Sequence, residues 1–233
     1  MSFNPNKCQV LRITRKRNPI IHNYTLHDRI LDCPDTAKYL GVHLSKDLSW
    51  NCHINAITKK ANSTSAFLQR NISPCPRQTK VLCYKALVRP IVEYACTVWD
   101  PHTQKNINKL EMLQRRYARF VFNDYQRTSS VTSMLQQLQW PTLQERRAQY
   151  KLVMVYRCVN FLVDIPPAYL APSPMVSKRG HSQMIIVPFA RTLAYQRSFF
   201  PDTIRMWNSL PQKVVNCTTV DRFRQEVQAT QLR

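Results

Sequence analysis

The stretch Thr36-Ala37-Lys38-Tyr39-Leu40-Gly41-Val42-His43-Leu44, continued by Lys46-Asp47-Leu48-Ser49-Trp50 and His53-Ile54, decides how the rest of the chain is read. Apolar side chains alternate at Leu40, Val42 and Leu44, the period of a strand with one buried face. A polar turn is expected at 45–47, and Trp50 stands at the mouth of a helix. Gly41 is one of only two glycines in 233 residues. A glycine inside a strand usually marks a bulge or a close backbone approach. The plain reading of the stretch is a β-hairpin edge packed on helices.

Working outward, the helices that would carry such an edge are written in the apolar period. Over 51–70, with Asn51 as N-cap, the residues Ile54, Ile57, Ala61, Ser65 and Leu68 fall on one stripe, and Lys59 and Lys60 point away from it. A second helix is expected at 77–94, kinked or restarted by Pro90. A third, at 103–123, places Ile107, Leu110, Leu113, Tyr117 and Val121 on one face. Its other face collects Lys105, Lys109, Arg115, Arg116 and Arg119, with Glu111 the one acid in the intervening sector. A solvated basic face is one account of this pattern; a phosphate-tracking helix, whose binding weakens with salt, is the other. A short helix follows to about Leu138, capped around Ser130. A longer one runs from Trp140 to about Leu162, with Leu143, Tyr150, Met154, Cys158 and Phe161 as its core face and Arg146 and Arg147 facing nucleic acid or surrounding Glu145.

The remainder is less regular. Val10, Leu11 and Ile13 suggest a strand at 9–13, and 14–35, with its Arg15-Lys16-Arg17 cluster, a hairpin leading into the Tyr39 strand. Residues 164–183, rich in Pro and Ser and holding Lys178 and Arg179, read as an exposed loop. A short strand is expected at 185–187. The aromatics from Tyr195 to Trp207 read chiefly as core, and Thr218-Thr219-Val220-Asp221 as the capping box of a last helix. The fold class is therefore mainly α with small β-hairpin elements.

Composition narrows the partner. The formal charge is +21, from 34 Lys and Arg against 13 Asp and Glu. It is spread along the chain, with net +7 in 1–70, +9 in 71–160 and +5 in 161–233. A body basic throughout implies a long polyanionic track, most often nucleic acid, rather than an appended localisation signal. Fifteen prolines against two glycines predict helices separated by proline corners. Eight cysteines without a CxxC, and no secretory leader at the start, read as isolated thiols of a reduced intracellular protein in nucleus or cytoplasm, not a secreted one. His27, Cys33, Cys52 and His53 are the conceivable zinc ligands, at a spacing that fits no usual zinc pattern. No apolar run is long enough to cross a membrane.

Five runs, in order, resemble the C-terminal part of the reverse transcriptase of non-LTR (LINE-type, jockey-like) retrotransposons. They are Met1-Ser2-Phe3-Asn4; Tyr39-Leu40-Gly41-Val42 with Leu48-Ser49-Trp50 and His53-Ile54; and 106–121 with Asn106-Ile107-Asn108-Lys109-Leu110-Glu111. Then come Trp140-Pro141-Thr142-Leu143 with Glu145-Arg146-Arg147, and Ser198-Phe199-Phe200-Pro201 with Trp207-Asn208-Ser209-Leu210-Pro211. The resemblance implies a palm remnant at 1–50, whose hairpin (Tyr39, Leu40, Gly41, Val42) grips a primer end. It implies a helical thumb at 51–127 along the template–primer duplex of RNA and DNA, and a helical C-terminal domain at 128–233. Lys59, Lys60, Lys105, Lys109, Arg115, Arg116 and Arg119 would be its nucleic-acid contacts, and Met1 an internal methionine.

The chemistry of such an enzyme needs paired carboxylates holding two metal ions. The sequence has no Tyr-x-Asp-Asp; Asp32 and Asp35 stand closest, without a third partner. No catalytic residue is assigned, no cofactor is expected in this chain, and Mg would sit in the palm of the parent enzyme. No Gly-rich phosphate loop and no Gly-x-Ser-x-Gly points to another reaction. Two other readings stay open: a free-standing basic RNA- or DNA-binding adapter, and an inert helical remnant. The number of chains that assemble is not legible.

Overall fold

The computed structural model describes residues 3–14, 16–174 and 180–230. Met1, Arg15, Lys178, Arg179 and Arg233 lie outside them, and with them the readings of an internal start and of part of each basic cluster. The fold is mainly α with two two-stranded antiparallel sheets, as the sequence indicated. Strands β1 (Thr25–Leu26) and β2 (Arg29–Ile30) form the first, and β3 (Thr36–Tyr39) and β4 (Val42–Ser45) the second.

The opening stretch is a hairpin at Tyr39-Leu40-Gly41-Val42, as expected, but the single alternating strand read through 36–44 is divided: the two-residue turn is Leu40-Gly41. Tyr39 pairs with Val42, and both turn residues have positive φ, 45° and 85°. That is the primed turn whose twist matches antiparallel strands, and Gly supplies the second left-handed residue without strain. The His27-Asp28 turn between β1 and β2 has the same sign pattern. The strand expected at 9–13 reduces to one parallel bridge, Gln9 to Asp32, and that at 185–187 to one antiparallel bridge, Pro172 to Ile185.

Helix α1 (Asn51–Asn71) is capped at Trp50, so Asn51 is its first residue rather than its N-cap. The expected stripe is buried at Ile54, Ala61, Ser65 and Leu68; Ile57 is half-buried, and His53 and Thr58 complete the inner face. The single helix expected at 77–94 is interrupted. α2 (Arg77–Cys83) passes into a π-helical turn (Tyr84–Val88) before α3 (Arg89–Glu93), and the Arg89 N–H reaches back to Tyr84 O. Pro90 explains this, because it has no N–H to continue the regular ladder. After α4 (Cys96–Trp99) comes α5 (Gln104–Phe122), with its N-cap at Thr103 and a left-handed Asn123 at its C-terminus. All five of its predicted core residues are buried.

α6 (Val131–Gln137) is capped by Ser130, and α7 (Leu143–Val159) by the Thr142 hydroxyl, with Glu145 closing a capping box. α7 starts later and ends earlier than expected. Phe161 lies beyond it, left-handed and 94% exposed, and Tyr150 and Met154 are only half-buried. The chain ends with α8 (Leu193–Gln196), α9 (Phe199–Asn208), α10 (Gln212–Val215) and α11 (Val220–Ala229), the last capped by Thr219 without the reciprocal half of a box.

Two buried clusters result. The first gathers side chains from Val42 to Leu143, among them Ile54, Tyr84, Trp99, Leu110 and Tyr117. The second gathers Leu152, Tyr156, Ile204, Trp207 and Phe223. α7 belongs to both, its first turn in one and its second half in the other. Between them sit Arg147 and Lys151, each nearly inaccessible to solvent. Arg147 Nε donates to Asp100 Oδ1 at 2.7 Å, and Lys151 Nζ contacts Asp100 Oδ2 at 2.6 Å and Asp202 Oδ2 at 2.8 Å. Burying cations this deeply requires such partners. The Trp207-Asn208 run is likewise structural. Trp207 Nε1 donates to Gln183 O at 2.9 Å, and Asn208 bonds both the N–H and the O of Ile185.

Candidate nucleic-acid interface

α1 and α5 run side by side and parallel. Asn106 Nδ2 donates to Asn51 Oδ1 at 2.9 Å, and one turn on, Lys109 Nζ donates to Asn55 Oδ1. Asn51, Asn55 and Lys109 are exposed, whereas Asn106 is buried. Lys59 stands one turn beyond Asn55 on the same side of α1, and Arg116 two turns beyond Lys109 on α5. Lys59, Lys60, Lys105, Lys109 and Arg116 are exposed. From Lys105 to Arg116 the helix rises about 16 Å, the length of roughly five phosphates along one strand.

The face is free of acids. α1 has no Asp or Glu in its 21 residues, and the single acid of α5 is turned away. Glu111 accepts the Leu143 N–H at 3.2 Å and the Gln144 N–H at 2.9 Å, so its carboxylate caps the first turn of α7. Burial pushes the Glu111 carboxyl up from its ordinary range, against the pull of those two N–H groups. The residue that looked like an interruption of the basic sector is a brace between helices.

Two predicted contacts stand apart from the ridge. Arg115 is half-buried. The Arg119 guanidinium is spent on the loop after α5, donating to Asp124 O at 3.3 Å, Gln126 O at 2.8 Å and Ser129 O at 3.3 Å. Arg146 and Arg147 do not face outward: Arg146 pairs with Glu93, and Arg147 with Asp100. The sequence missed these pairs because the acids lie 53 and 47 residues away.

At the hairpin, Tyr39 and Leu40 are largely exposed and Val42 is buried at 6%. The tip is held on α3's end: the Tyr94 hydroxyl donates to Leu40 O at 3.1 Å, and a Cβ at Gly41 would come within 3.2 Å of the Tyr94 ring. Behind β4, the His43 N–H donates to His53 Nδ1 at 3.3 Å, and the buried His53 ring lies 5.0 Å from that of Trp99. Burial, with the neighbouring His43, lowers the His53 pKa to about 4.

Among the described residues no group of three or more His, Cys, Asp or Glu side chains could hold a metal ion, so His27, Cys33, Cys52 and His53 form no such set. Asp100 and Asp202, which do converge, are bridged by Lys151. No carboxylate cluster among the described residues fits a two-metal centre. Among the described residues no helix is long and apolar enough to cross a membrane.

No family model matches the chain, and no solved structure matches it. Two curated proteins of Drosophila melanogaster do. The chain is 29% identical over 119 residues to "Probable RNA-directed DNA polymerase from transposon BS", covering 50% of this chain and 13% of that protein. It is 28% identical over 91 residues to "Probable RNA-directed DNA polymerase from transposon X-element", covering 38% of this chain and 10% of that protein. The matched part is thus a small fraction of either relative's length. Across about half of its residues, this chain is similar to probable RNA-directed DNA polymerases of transposons, as the ordered runs in its sequence implied.

Proposed function

We propose that this chain is the part of a transposon reverse transcriptase that holds template–primer nucleic acid. The observation that carries the reading is the acid-free ridge of α1 and α5, with Lys59, Lys60, Lys105, Lys109 and Arg116 exposed on a relative of RNA-directed DNA polymerases. Each cation that meets a phosphate releases condensed counterions, which supplies affinity without reading sequence. Residues 51–127 act as the thumb, the hairpin at Tyr39, Leu40, Gly41 and Val42 positions the primer end, and 128–233 form a C-terminal helical domain that braces the thumb through α7. Polymerisation itself, with its Mg, is the work of a palm whose carboxylates are not among the residues described above. Binding of a primer–template duplex by the 233-residue chain, followed by filter retention between about 50 and 200 mM salt, tests this. A steep loss of affinity is expected; absent or salt-indifferent binding overturns the proposal.

A further inference from the structure

A cleft of about 520 Å³ opens where α7 joins the two cores. Leu48, Trp50 and Val98 line it from the side of the first core, and Tyr195 and Phe199 from the side of α8 and α9. Leu48, Val98 and Tyr195 remain 49%, 56% and 45% exposed, so this apolar and aromatic lining is open to solvent. Asp100 and Lys151 also line it, and His102 and Arg197 contribute polar edges.

The polar groups fix what chemistry fits. Lys151 has three N–H donors and spends them on two carboxylates, Asp100 and Asp202, leaving one for a further acceptor. Asp100 is shared by Arg147 and Lys151, and Asp202 by Lys151 and Arg197. Three cations against two acids leave no free negative charge to attract a cationic ligand. Flat apolar faces with acceptor-bearing edges suit aromatic walls above a single buried donor, and nucleobases have both.

The surroundings select among bearers of such rings. Trp50 and His102 also line the adjoining recess of about 270 Å³, together with Asn51, Thr103 and Asn106, at the first turns of α1 and α5. The cleft is therefore continuous with the end of the basic ridge, where Lys105 follows. We propose that the cleft receives an unpaired base of single-stranded nucleic acid running on from a duplex held by α1 and α5, an inference that rests on the ridge reading above.

Tryptophan emission reads this out, because Trp99, Trp140 and Trp207 are buried whereas Trp50 is only half-buried beside the cleft. A blunt primer–template duplex and the same duplex with a short single-stranded overhang are titrated into the full chain. The overhang is expected to bind about tenfold tighter, the worth of one stacked base, and to quench Trp50. Tyr195→Ala is expected to abolish the gain while blunt-duplex binding, which also reports an intact fold, is retained; Trp50→Phe removes the quench. Equal affinity for the two duplexes, or a gain that survives Tyr195→Ala, overturns the cleft proposal and leaves the ridge standing. Blunt-duplex binding indifferent to salt overturns the ridge instead.

Discussion

Lys151→Met removes the charge that joins the two cores while nearly keeping the side-chain volume. The wild-type ammonium lies 2.6 Å from Asp100 and 2.8 Å from Asp202, with 5% of its side chain exposed. Without it, two carboxylates only 20% and 23% exposed face each other across the vacated position. At roughly 5 Å and an effective dielectric near 20, their repulsion is about 3 kcal/mol. Removing one partner of a buried pair costs about 3–5 kcal/mol in general. Arg147 on Asp100 and Arg197 near Asp202 absorb part of the charge, so a loss of about 2–4 kcal/mol is expected. Urea unfolding of wild type and variant measures it, and pH adds a check on the cause. Protonating either carboxylate removes the like-charge repulsion in the variant, so the deficit should narrow as pH falls from 7 towards 4. A deficit below about 1 kcal/mol, or one independent of pH, refutes the electrostatic account.

Glu111→Ala should destabilise the chain by about 1–3 kcal/mol, since it strands the Leu143 and Gln144 N–H groups; unchanged urea unfolding would deny that Glu111 caps α7. Burial holds the His53 pKa near 4, below its value in the unfolded chain. Its contribution is therefore present above about pH 6.5 and lost as pH falls towards 4, about 1–2 kcal/mol between pH 7 and 5. His53→Gln should flatten that part of the stability profile, and an unaltered slope would assign it to other groups. Gly41→Ala places a Cβ 3.2 Å from Tyr94 at φ +85° and should cost about 1–2 kcal/mol by thermal unfolding; a neutral effect would contradict the turn assignment.

What was legible in the sequence follows from which interactions are local. α5 was read nearly to its ends because its caps at Thr103 and Asn123 and its apolar stripe all lie within the segment. The hairpin was legible, but its division into two strands was not, because Leu40-Gly41 satisfies both the alternation of a strand and the sign of a primed turn; only the pairing of Tyr39 with Val42 separates them. α7 was read as having one core face because Arg147 and Lys151 look like surface residues until Asp100 and Asp202 arrive from other elements. The basic face was legible as a pattern. That Glu111 and Arg119 are withdrawn from it was not, since their partners are the N–H groups of another helix and the carbonyls of a loop.

The central claim is that α1 and α5 hold a nucleic-acid backbone. Its most direct test is the slope of log affinity against log salt for a blunt primer–template duplex, comparing wild type with Lys105→Ala, Lys109→Ala and Arg116→Ala combined. Arg119 is omitted because it braces the loop after α5. Each lost phosphate contact lowers the slope by about one unit, so a decrease of about two to three units is predicted. A slope unchanged in the triple variant would contradict the assignment of this face.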